Sequence, residues 1–123
     1  MRAVLLAAAL ILAASVRTAG AEPDTRTAAG FLEWYGNGQN YYARVYMKGL
    51  YGGYSMVVGL QKDWHVSPLF CPPPQFGRTN SDAEVVSILT AYVDSHPSAG
   101  KLDTDLMVLT ALREKFPCGG KAR

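Results

Sequence analysis

Between Thr27 and Phe116 the apolar residues fall three or four positions apart in successive runs, broken by clusters of glycine, proline and asparagine. That spacing predicts helices. Thr27 can cap a short helix carrying Phe31, Leu32 and Trp34, which ends at the turn cluster Gly36, Asn37, Gly38. Asn40 opens a longer helix reaching about Leu60, in which Tyr42, Tyr46, Leu50 and Tyr54 recur every four residues and Val45, Met47, Met56, Val57 and Val58 widen the apolar side. Gly49, Gly52 and Gly53 interrupt this pattern, and each costs a helix about 1 kcal/mol relative to alanine. Either the helix kinks there or a neighbour packs close to bare backbone. The aromatic and β-branched content also suits a hairpin turning at Gly52 and Gly53, which is the structural rival.

Lys62 to Asn80 reads as a long irregular connection, because Pro68 and the run Pro72, Pro73, Pro74 exclude regular structure. Ser81, Asp82, Ala83, Glu84 has the form of a capping box. Val85, Ile88, Leu89, Tyr92 and Val93 then continue at helical spacing until His96 and Pro97 stop them. A last helix starts near Asp103, with Leu106, Leu109, Leu112 and Phe116 as its stripe and Met107, Val108 and Ala111 beside it. The fold predicted is all-α: one small domain, a bundle of about four helices of unequal length.

The start of the chain changes the picture of where it works. Met1 and Arg2 precede an unbroken apolar stretch from Ala3 to Ala14, and Ala19, Gly20, Ala21 form a small-residue cleavage site. The stretch is shorter than the roughly 20 residues that a membrane-spanning helix needs. Residues 1–21 are therefore read as a cleaved signal peptide and residues 22–123 as the mature domain, with Glu22 to Arg26 a mobile entry segment. No cysteine follows closely enough for a lipid anchor, so no stable membrane attachment is expected. Arg2 and Arg17 leave with the leader, so the 12 basic residues of the full chain fall to ten, equal to its 10 acidic ones. The remaining basic residues are scattered among acids, which excludes a nucleic-acid-binding stripe.

An exported chain with two cysteines has one intramolecular pairing, Cys71 with Cys118. The weaker alternatives are a metal site joined by His65 or His96, whose spacing matches no ligand pair, and a free thiol. A small domain has a thin core, so one cross-link matters. Catalysis finds little support. Asp94, Ser95 and His96 are consecutive and point in different directions on a helix, Glu84 belongs to the capping box, and Asp103 and Asp105 suit a helix start. No phosphate-cradling glycine motif occurs, and no cofactor or metal is expected. Binding is the better hypothesis, carried by the loop residues Trp64, His65, Leu69, Gln75, Phe76 and Arg78. Tyr51 and Tyr54 are a second candidate region, although helical spacing favours core packing for them.

The order Tyr46, Met47, Lys48, Gly49, then Phe70, Cys71, Pro72, then Val85, Val86, Tyr92, then His96, Pro97, then Ala111, Leu112, and finally Phe116, Pro117, Cys118 resembles the Rap1a/Tai immunity proteins. The resemblance covers about 75 residues, from roughly Tyr46 to Cys118. It implies a small, exported, mainly helical, disulfide-bonded protein of the periplasm. Its best-studied members bind and inhibit peptidoglycan amidase effectors delivered by type VI secretion, which implies a protein effector as partner and no enzymatic activity. Members commonly carry a further cysteine pair joining the first two helices. Here Trp34, Tyr35, Tyr42, Ala43 and Arg44 occupy those neighbourhoods, and packed aromatics are expected to replace that staple. The alternative function is a periplasmic helical chaperone or stress module without a toxin target. A homodimer is compatible with the resemblance, and the sequence does not specify it.

The leader assignment makes a direct prediction. The chain recovered after export is expected to begin at Glu22, and intact mass or N-terminal sequencing checks it; a product retaining Met1 contradicts it.

Overall fold

The computed structural model describes Gly20 and residues 22–119, so the signal peptide expected over residues 1–21 lies outside the described residues apart from Gly20. Four α-helices follow in chain order: α1 (Ala28–Tyr35), α2 (Tyr41–Asp63), α3 (Ser81–Ser95) and α4 (Thr104–Lys115), with a 3-10 turn, Pro97–Lys101, between α3 and α4. Among the described residues extended pairing is limited to an isolated bridge between Thr27 and Asp103. α2 runs straight through Gly52 and Gly53 as helix, which rules out the hairpin.

The helix starts follow from side-chain chemistry. The Thr27 hydroxyl accepts the Gly30 N–H at 3.2 Å, and Asn40 Oδ1 accepts the Ala43 N–H at 3.2 Å. Each satisfies a backbone donor that the first turn leaves without a partner. The capping box expected at α3 does not form. Asn80 is the residue that precedes the helix, it makes no side-chain cap, and Glu84 is drawn away to accept the Gly77 N–H at 2.7 Å. The entry segment is also more tied down than its polarity suggests. Thr104 Oγ1 donates to the Thr25 and Arg26 carbonyls at 3.2 and 3.0 Å, and the Ala28 N–H donates to Leu102 O at 2.9 Å. These bonds join the start of α1 to the start of α4.

α3 packs against α1, α2 and α4, and its Val85, Val86 and Leu89 are buried with Phe31, Met47, Phe70, Val108 and Leu112. The stripe expected on α2 is split by the fold. Ala43, Met47, Tyr51 and Val58 face the core, while Tyr42 is 74% and Met56 67% exposed. Both faces of α2 are apolar, so periodicity alone did not distinguish the inner one. On α4 the buried set is Thr104, Met107, Val108, Ala111 and Leu112, and Leu106 is exposed.

One charged group lies inside this core. Asp82 is 1% exposed, and its Oδ2 accepts the Tyr35 hydroxyl at 3.1 Å and Arg44 Nε at 2.9 Å, while Lys48 Nζ lies 3.7 Å from Oδ1. The carboxylate thereby joins α1, α2 and α3. Burial raises its pKa, but the Arg44 and Tyr35 hydrogen bonds and the charges of Arg44 and Lys48 outweigh that, holding it below the usual carboxylate range. The Phe31 ring meets Tyr46 at 5.5 Å, so aromatic packing and this shared carboxylate connect α1 to α2, which no disulfide joins.

Because the folded pKa of Asp82 lies below its unfolded value near 3.9, its stabilisation is present above about pH 4 and is lost as pH falls through the folded value. Asp82→Ala is expected to cost about 2 kcal/mol at pH 7, since the Tyr35 hydroxyl loses its partner while Arg44 and Lys48 can turn to water. Urea unfolding at pH 7 and at pH 3 checks this; the gap between wild type and variant should shrink at the lower pH.

Candidate functional site

Residues 64–80 connect α2 to α3 without regular structure, yet they are fastened at several points along their length. The loop leaves α2 sharply. His65 has φ +56°, a left-handed conformation that is uncommon for residues other than glycine, and Val66 N–H returns to Gln61 O at 2.8 Å. Gln61 Oε1 also accepts the Leu69 N–H at 2.9 Å. Phe70 is fully buried, and the next residue, Cys71, is disulfide-bonded to Cys118 with Cα atoms 5.1 Å apart. The Cys71 N–H reinforces that link by donating to Phe116 O at 2.8 Å.

Beyond the three prolines the chain turns inward again. The Phe76 ring lies 5.4 Å from Tyr51 and 4.8 Å from Phe116, both edge-on, and it closes the loop over the core. Gly77 has φ +77°, and a Cβ there would collide with the Tyr51 ring, so the chain passes this point only as glycine. Arg78 Nε donates to Pro74 O at 2.7 Å, holding the proline turn in shape.

These contacts divide the six loop residues expected to bind a partner. Trp64 is 68% exposed, and His65, Gln75 and Arg78 are also exposed. Leu69 and Phe76 are half-buried and pack against the core. Trp64 and His65 form one projection at the end of α2, and Gln75 and Arg78 belong to a second, around the prolines. A recess of ≈ 340 Å³ between α2 and the loop is bordered by Tyr51, Ser55, Pro72, Phe76 and Arg78. Lys62 also borders it, so its rim is cationic. Of the second region, Tyr51 is buried, and the half-buried Tyr54 donates its hydroxyl to Asp105 O at 2.7 Å. Burial, with the Asp105 charge, pushes the Tyr54 phenol up to about 12.

The other residues weighed for chemistry are accounted for locally. His96 stacks on Tyr92 at 4.3 Å where α3 ends. Ser95 and His96 do touch, at 3.1 Å, because His96 leaves the helix with φ −131°. The Ser95 hydroxyl is engaged with the Ala91 and Tyr92 carbonyls, which leaves it poorly placed as a nucleophile. Among the described residues no group of three or more metal-ligating side chains converges. Sequence reasoning missed Asp82, which it treated only as part of a cap. Asp82 stands in the polar first turn of α3 with Ser81 and Glu84, so no local signal set it apart, and the cations that hold it lie 38 and 34 positions upstream, at Arg44 and Lys48.

A family model described as Rap1a immunity proteins matches residues 7–118. The chain belongs to that family. No curated protein and no solved structure matches it. The match spans nearly the whole chain, so the core, the disulfide and the loop all lie within the region shared with Rap1a immunity proteins. This member is accordingly an immunity-type protein, and a protein effector is the partner that the family implies. Its disulfide fits an exported protein, and no described helix is long and apolar enough to cross a membrane.

Gly77→Ala tests whether the loop is as closely fitted as its contacts indicate. The substitution is expected to destabilise the fold by at least about 2 kcal/mol, because it combines a left-handed backbone with a clash against a buried ring. Thermal unfolding measures it, and a change under about 0.5 kcal/mol would show a loop able to move away from Tyr51.

Proposed function

We propose that the mature domain, residues 22–123, acts in the periplasm by binding and blocking a peptidoglycan amidase delivered by type VI secretion. In this reading it inhibits by occlusion and performs no chemistry of its own. The observation that carries the site is the combination of exposed tips and buried anchors in the loop. Trp64, His65, Gln75 and Arg78 project, while Phe70, Phe76, the disulfide and the Gln61 and Glu84 side chains hold the backbone behind them. A loop already fixed in shape loses little entropy on docking, and a tryptophan with an arginine are the residue types that most often anchor protein interfaces. The amidase cleft receives these tips. Leu69 and Phe76 serve the site from behind, by keeping the loop on the core.

Protection tests the proposal. An amidase effector targeted to the periplasm of a test cell is expected to cause lysis that co-expression of this chain prevents, and deletion of residues 1–21 is expected to abolish the rescue. Trp64→Ala with Arg78→Ala is expected to weaken binding to that effector by at least about tenfold. Trp64 is exposed and Arg78 makes one exposed hydrogen bond, so the double variant should keep its unfolding midpoint within a few degrees. Affinity left within about threefold, by titration calorimetry, would remove the loop tips from the interface.

A further inference from the structure

The recess between α2 and the loop is lined by two different kinds of group. Tyr51, Val58, Phe70 and Phe76 give it an apolar, largely aromatic floor, and the run Pro72, Pro73, Pro74 gives it a wall. These surfaces offer little to a hydrogen-bonding guest. A proline has no N–H, and the Pro73 and Pro74 carbonyls already accept from the Phe76 N–H at 3.0 Å and from Arg78 Nε at 2.7 Å. The Gly77 N–H is spent on the Glu84 carboxylate.

The polar side chains left with bonding capacity are donors or hydroxyls. Lys62 and Arg78 stand on the rim, and the ion pairs among the described residues use Arg26, Arg44 and Lys48, so neither rim cation is paired there. Lys62 offers an ammonium group, and Arg78 keeps its two terminal nitrogens. Ser55, on the helix side, has its hydroxyl shielded from water and without a hydrogen-bond partner among the described residues. No acidic side chain is among the described residues that border the recess. Two unpaired cations and an unpartnered hydroxyl around an apolar floor favour a guest that carries negative charge and acceptor atoms on an apolar stem.

We infer that this recess is a carboxylate site and that the group it takes is an acidic side chain of the protein partner. Its ≈ 340 Å³ lies at the lower end of ligand pockets, which admits one side chain and not a folded segment. Glutamate suits it better than aspartate, because the longer stem crosses the apolar floor before the carboxylate meets the cations. The position of the recess argues for a protein as the source. Lys62 precedes the exposed Trp64 by two residues, and Arg78 is itself a loop tip, so a partner seated on those tips also covers the mouth of the recess. The source therefore rests on the loop-tip reading above, whereas the affinity for a carboxylate does not.

Two titrations separate these parts. Phenylpropionate added at pH 7 to the isotope-labelled, oxidised mature chain is expected to shift the Ser55, Gly59 and Gly77 amide resonances saturably. Phenylpropionamide, the same body without the charge, is expected to bind at least about fivefold more weakly. Lys62→Gln should weaken the acid at least about threefold and leave the amide unchanged, and its thermal midpoint should stay within a few degrees because Lys62 is exposed. Equal binding of acid and amide, shifts confined to other residues, or indifference to Lys62→Gln overturns the carboxylate site. For an amidase effector that the chain protects against, Lys62→Glu is expected to weaken binding at least about tenfold by calorimetry. Affinity held within about threefold overturns the partner side chain as occupant and leaves the loop tips in place. Failure of the loop-tip reading looks different: Trp64→Ala then leaves the effector bound while the isolated chain still prefers the acid to the amide, which makes the recess a site for a free carboxylate and removes the partner as its source.

Discussion

The bond between Cys71 and Cys118 is the constraint on which the rest depends. It closes a sequence separation of 47 residues, and the chain-entropy account assigns such a closure about 4 kcal/mol. Its position matters as much as its magnitude. It ties the end of α4 to the centre of a proline-rich segment that has no ladder or helix to order it. With Cys71 held, Phe70 and Phe76 on either side reach the core together and close it against Tyr51 and Phe116. The loop is thus a part of the core that happens to lack secondary structure.

The buried carboxylate of Asp82 does comparable work between the helices. Burying an ionised group is costly unless charge and hydrogen bonds compensate, and Arg44, Lys48 and Tyr35 supply both from two other helices. A hydrophobic residue in its place would pack without specifying which turn of α2 lies against α3. The carboxylate accepts a single register, because only one leaves it paired. Two fasteners of different chemistry therefore fix a small core, one covalent beneath the loop and one ionic between α1, α2 and α3.

Much of this was legible in the residues. Thr27 and Asn40 announced helix starts because a cap is a local event, decided within three residues. The cysteine pairing followed from count and context, and the order of motifs around Phe70, Cys71, His96 and Cys118 pointed to the immunity family. What escaped was whatever depended on distant partners. The Ser81 to Glu84 pattern promised a local cap, but Gly77, brought near by the loop, competes successfully for the Glu84 carboxylate. α2 presented apolar residues on both faces, so spacing gave the helix and not its orientation. The loop residues were picked together for their types, and only the fold separates the exposed Trp64 and Arg78 from the packed Leu69 and Phe76.

That separation gives the loop an unusual freedom to change. The side chains at its tips contribute little to holding the molecule together, and the side chains that hold it contribute little to its outer surface. Trp64 and Gln75 can change with little toll on folding, whereas His65 occupies a left-handed backbone and Arg78 braces the proline turn, so the freedom is greatest at two of the four tips while Phe70, Phe76, Gly77 and the cysteines hold the loop in place.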